Sequence, residues 1–252
     1  MTPQIPGYVL SLESILRPFV MTIALGLIWL GAVRMPASAK SRYATAGVPS
    51  AVLIGWLALA EYLGAANTYL ATIENPPAVP TILFGLLIPL AVATIGLWQS
   101  ESIARLVSAI PLHWLVAAQV YRVGGGIFLV LWAAGRLPWQ FALPAGIGDV
   151  ATGIVAVVVA ALLARNAIGA DRATYAWCLF GIADLVVAIT MGAMTSPGRA
   201  HLLAFDAPNL LVTAYPLVMV PTFAVPLALM LHGLVLLRLR RGAPATGWLA
   251  AA

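Results

Sequence analysis

The chain has 252 residues, 62% of them hydrophobic and only 8% charged. An ordinary soluble domain carries about 25% charged residues, and a soluble fold of this length has too little interior for so much apolar side chain, so lipid must take the rest. The net charge of +5 is scattered in ones, twos and threes between apolar runs, which excludes a clustered phosphate track and, with it, nucleic acid as a partner.

At the start of the chain, Met1 to Tyr8 has no basic stretch and Glu13 precedes the first apolar run. The sequence therefore predicts a retained first helix rather than a cleaved signal peptide. A spanning helix needs about 20 mostly apolar residues. That ruler predicts spans over 15–33, 49–72, 79–98, 112–135, 146–163, 174–194 and 215–237. The breaks between them are chemically apt: a basic stretch from Arg34 to Arg42 holding Pro36, then Asn75-Pro76-Pro77 with Pro80. Gly135 to Pro138 and Ser196 to Arg199 are turns of the same kind. Between the third and fourth spans, Trp98 to Ala109 reads as a short interfacial helix, with Trp98 and Trp114 at headgroup depth. Alternating ten-residue segments, the mark of a β-barrel, are missing.

The expected fold is an all-α integral membrane protein, a bundle of about seven transmembrane helices. It forms one domain over 1–241, and 242–252 is a short frayed tail. If the spans alternate, Arg34, Lys40, Arg42, Arg105, Arg165, Arg172, Arg238, Arg240 and Arg241 share one side, and Arg136 and Arg199 the other. Basic loops stay in the cytoplasm, so the N-terminus is expected outside and the C-terminus inside, in a prokaryotic plasma (inner) membrane. Gly124-Gly125-Gly126, Gly146 and Gly148 allow close helix approach. Gly146-Ile-Gly-Asp149 echoes Gly181-Ile-Ala-Asp184, an echo too short to establish a transporter-type repeat.

Ionisable groups are costly in lipid, so those at mid-depth carry the functional argument. Counted along their predicted spans, Glu61, Arg122 and Asp184 lie within roughly 3 Å of one another in depth. The expectation is that Arg122 is neutralised by Asp184 or Glu61, with Gln119 and Tyr121 beside it. The carboxyl left over would then hold or exchange a proton, because desolvation favours the uncharged form. The same residues also suit a purely structural ion pair. Asn67, Tyr69 and Asp149, placed near the outer ends of their spans, are expected to form an outer vestibule. Asp149 there equally suits a simple interfacial carboxylate.

Pro216, Pro221 and Pro226 recur every five residues in the last span. Each frees a backbone carbonyl four residues earlier, those of Val212, Leu217 and Thr222, and together they suggest a kinked hinge. His113 and His232, on different helices at similar depth, are candidate axial ligands for haem, although no cofactor is predicted outright. His201, with Arg199 and Asp206, lies in the last outer loop and shows no metal-binding spacing. Cys178, the sole cysteine, excludes an intrachain disulfide. The one lysine, Lys40, lies in a loop, which excludes a retinal Schiff base in the last helix. These residues point first to translocation or sensing of a small solute or ion, in contact with the lipid bilayer. Rival readings are a haem-holding redox subunit, an intramembrane enzyme acting on a lipid-like substrate through Asp149 and Asp184, and a non-catalytic subunit that assembles as a homo-oligomer or with a membrane partner protein.

Overall fold

The structure, a computed structural model, describes residues 3–77 and 81–240. Val79 and Pro80, at the predicted start of the third span, lie outside the described residues, as do Arg241 and the tail 242–252. In chain order the helices are α1 (Gly7–Arg34), α2 (Ala39–Ala65), α3 (Ile82–Gln99), α4 (Glu101–Ala109), α5 (Leu112–Ala133), α6 (Trp139–Ala164), α7 (Ala170–Thr195) and α8 (Val220–Arg240). All except α4 are long and apolar enough to cross a membrane, and no strand occurs among the described residues. The protein is an all-α, multi-pass membrane protein.

Four helix starts depart from the apolar ruler by five residues or more: α1 begins at Gly7 rather than at residue 15, and the other three depart for a local reason. Helix α2 begins ten residues early, where the Ser38 hydroxyl accepts from the Ser41 N–H at 3.3 Å. That N-cap starts a polar turn bearing Lys40 and Arg42, so Pro49 falls inside the helix rather than at its head. Helix α6 begins at Trp139, directly after Pro138, and runs through Pro144. Helix α8 begins at Val220, after a connection that enters the protein without regular helix.

That connection is buried: Asn209, Leu217 and Val218 are each 0% exposed. Its backbone groups need partners in a place that lacks water. The Asn209 Oδ1 accepts from the Val212 N–H at 3.2 Å, and the Asn209 N–H donates to the Thr195 carbonyl at 2.9 Å. From the α2–α3 connection, the Ala71 N–H donates to the Thr213 Oγ1 at 3.1 Å. Pro216 lies in this segment, ahead of the helix. Pro221 falls in the first turn of α8, and Pro226 lies where a π-turn over Val220–Ala224 passes into regular helix. Prolines are tolerated at helix starts, where a missing N–H breaks no bond. The three prolines therefore cluster at the entry of the last helix instead of punctuating a span over 215–237.

Helices α5 and α8 form the centre of the bundle, with half of their apolar windows buried, whereas only 6% of α3 is covered. The middle of α5, Ala118–Gly126, winds as a 3₁₀-helix between two α-helical ends. Such a stretch within a span is uncommon and often marks a functional segment. At the end of the bundle that carries most of the basic residues, Arg238 of α8 donates to the carbonyls of Ser108 at 2.9 Å and Ile110 at 3.0 Å. A cation there satisfies carbonyls that the end of α4 leaves open.

Candidate functional site

The 3₁₀ stretch places Arg122 midway along α5, with its side chain only 2% exposed. Its Nε donates to the Asp149 carboxylate at 2.7 Å, and its second terminal nitrogen pairs with the Asp184 carboxylate. The remaining terminal nitrogen lies 3.3 Å from both the Gly181 carbonyl and the His232 Nε2. A guanidinium only donates, so Nε2 accepts and the ring proton lies on Nδ1, facing the Cys178 Sγ at 3.5 Å. The ring packs against Trp177, with centroids 4.7 Å apart. Every face of the guanidinium therefore has a partner. The two Gly-Ile-x-Asp segments lie on neighbouring helices, and each delivers its aspartate to the same arginine.

Glycines make room for this arrangement. A Cβ on Gly148 would run into the Asp184 carboxylate, and one on Gly125 into the carboxylate of Asp149. A Cβ on Gly181 would come within 2.5 Å of the His232 Nε2. These positions house the polar groups as well as permitting close helix contact.

The placement of the other expected residues differs in part. Glu61 pairs with Arg17 rather than with Arg122. Its Oε1 accepts from Arg17 at 2.6 Å, and Arg17 also donates to the Tyr215 hydroxyl at 2.9 Å. Because α2 ends at Ala65, Glu61 is four residues from the helix end rather than at mid-depth. Asp149 is deeper than expected: with α6 starting at Trp139, it is the eleventh residue of a 26-residue helix. Asn67 is exposed in the turn that closes α2, with a left-handed φ of 59°. Tyr69, by contrast, is buried, and burial raises its hydroxyl above the ordinary phenol pKa.

Gln119 and Tyr121 flank Arg122 but turn toward α8. Gln119 donates to the Ala228 carbonyl and Tyr121 to the Ala224 carbonyl, each at 3.0 Å. Of the carbonyls freed by proline, that of Thr222 is taken by the Trp56 indole N–H at 3.0 Å. The histidine pair does not fit a haem. Both ring nitrogens of His232 face protein groups, whereas His113 stacks on Trp114 in the first turn of α5. Among the described residues, no group of three or more His, Cys, Asp or Glu side chains is arranged to hold a metal ion.

Sequence reasoning passed over Arg17 and Glu13 as partners. The spacing Glu13-x-x-x-Arg17 puts both on one helix face, and an arginine inside an apolar run was itself a signal. Glu13 is 2% exposed, with its Oε2 3.8 Å from the Arg17 Nε.

Two cavities meet at the Arg122 cluster. The larger, about 1250 Å³ with its open mouth included, runs between α3 and α7 from Tyr69 and Arg199 down to Asp149 and is lined mainly by apolar groups such as Leu86, Phe128 and Ile189. The smaller, about 590 Å³ measured the same way, is lined by Glu13, Arg17, Tyr121, Arg122 and Asp149. Asp149, Leu185, Val220 and Val225 belong to the walls of both.

No curated protein matches the chain, and no solved structure does. Residues 76–240, a stretch that includes Arg122, Asp149, Asp184 and His232, match the family described as a domain of unknown function, DUF8737, and the chain belongs to that family.

Proposed function

We propose that the protein translocates or senses a small amphipathic solute, and that protonation at the Arg122–Asp149–Asp184 cluster is linked to its binding. The observation that carries this reading is Asp149, which is paired to Arg122 and also lies in the wall of the large apolar cavity. A sealed ion pair would serve only to lock helices together. A carboxylate at the floor of a greasy cavity can meet the polar head of a solute whose apolar part fills the space above it. Because two carboxylates share one guanidinium, a proton or a cationic head at Asp149 relieves an excess of negative charge. The pairing to Arg122 then weakens, and the 3₁₀ stretch that presents Arg122 and the proline-bearing start of α8 are placed to respond. The distribution of basic residues supports a cytoplasmic C-terminus, with the cavity mouth on the outer face of a prokaryotic plasma membrane.

The test uses full-length protein in sealed lipid vesicles and three labelled amphiphiles: octylamine, octanol and octanoate. Uptake of at least one above that of protein-free vesicles is expected. Asp149→Asn should lower it about tenfold, the scale of one lost charge-assisted contact. If uptake matches protein-free vesicles for all three, or is unmoved by both Asp149→Asn and Asp184→Asn, the cluster is structural.

A further inference from the structure

We propose that Glu13 holds a transferable proton in the cavity between the two arginine clusters. The proposal rests on the reading of Asp149 as the reachable carboxyl of the Arg122 cluster and extends it to a second site. Glu13 is 2% exposed, and its Oε1 has no hydrogen-bond partner. Its other oxygen is 3.8 Å from the Arg17 Nε, too far for a hydrogen bond. That Nε donates instead to Glu13's own backbone carbonyl at 3.1 Å, while an Arg17 terminal nitrogen serves Glu61 and Tyr215. A buried carboxylate without donors is costly, and a proton on one oxygen removes that cost.

The surroundings favour a proton over a metal ion. The carboxyls of Glu13, Glu61, Asp149 and Asp184 surround only two guanidiniums, those of Arg17 and Arg122, so positive charge is wanted. A hard cation, however, needs several oxygen ligands at once, and here it would sit against both guanidiniums lining the cavity. The charged and titratable groups around Glu13 are Arg17 on α1, Glu61 on α2, Tyr121 and Arg122 on α5, Asp149 on α6, and Tyr215 before α8. Helix α4 meets α1 at Gly31, toward its other end, and there Glu101 and Arg105 pair with each other at 3.5 Å. In the transfer step, the O–H bond at Glu13 Oε1 breaks, its proton crosses the cavity that both groups line, and an O–H bond forms at the Asp149 carboxylate. Glu13 becomes the anion beside Arg17, Asp149 becomes neutral, and Arg122 keeps Asp184 as its charged partner.

Infrared spectroscopy of the full-length protein in lipid vesicles, labelled with ¹³C-glutamate and without added solute, tests this. At neutral pH the wild type should show a protonated-glutamate C=O band that shifts in heavy water. Glu13→Gln should abolish that band and Glu61→Gln should keep it. Glu13→Asp should remove the labelled band and introduce an unlabelled carboxylic-acid band in its place, showing that the site, rather than the fold, was changed. A band that survives Glu13→Gln, is missing from the wild type, or disappears on adding sodium overturns the proposal. Solute uptake that falls in Asp149→Asn alongside a glutamate band that survives Glu13→Gln would leave the solute reading standing while this one fails.

Discussion

The two arginine clusters have the same parts and opposite settings. Arg122 and Arg17 each face two carboxyls and a ring-bearing residue, His232 in one case and Tyr215 in the other. Arg122 is midway along its helix, and both of its carboxylates are held in direct ion pairs. Arg17 is 19% exposed, its close carboxylate Glu61 is 40% exposed, and Glu13 is left 3.8 Å away. The difference teaches what burial demands. Where it is partly exposed an arginine can share its charge with the surroundings, whereas in the buried middle of the bundle every donor needs a protein acceptor.

The contrast can be broken by mutation. The largest effect is expected for Arg122→Gln, which leaves Asp149 and Asp184 buried without a counter-charge, a loss of about 3–5 kcal/mol. Thermal unfolding in detergent should show a steep fall in Tm, and an unchanged Tm would mean the pairing matters little. Next comes Gly148→Ala, whose methyl meets the Asp184 carboxylate. It should cost about 1–3 kcal/mol by overpacking, while Gly55→Ala, with nothing within 4 Å, should be neutral or slightly stabilising in the same assay. Smallest is Arg17→Gln, at roughly 1 kcal/mol or less, as for other partly exposed pairs. If Arg17→Gln proves as damaging as Arg122→Gln, the distinction between a partly exposed and a buried cluster fails.

The bundle was legible because apolar runs long enough to cross a bilayer leave few other readings. The pairing of Arg122 with an acidic neighbour was also legible, from the cost of an unpaired guanidinium at mid-depth. Which neighbour it would be depended on helix starts. Hydropathy measures where side chains turn greasy, not where the backbone begins to coil. The polar first turns of α2 and the Pro138 entry to α6 were therefore invisible to it, and Glu61 and Asp149 exchanged their expected depths. The buried connection before α8 was hidden for a different reason. Its backbone is satisfied by Asn209 and Thr213, whose long-range partners Thr195 and Ala71 no local pattern reveals.

The grip of Arg238 on the last carbonyls of α4 has a mechanical corollary. The short amphipathic helix lying along the basic end of the bundle is riveted to the foot of the final membrane-crossing rod. Any tilt or rotation that starts at the proline-laden entrance of that rod must either drag the rivet with it or shear it. Movement at one face of the membrane is thereby coupled to the position of a lever at the other.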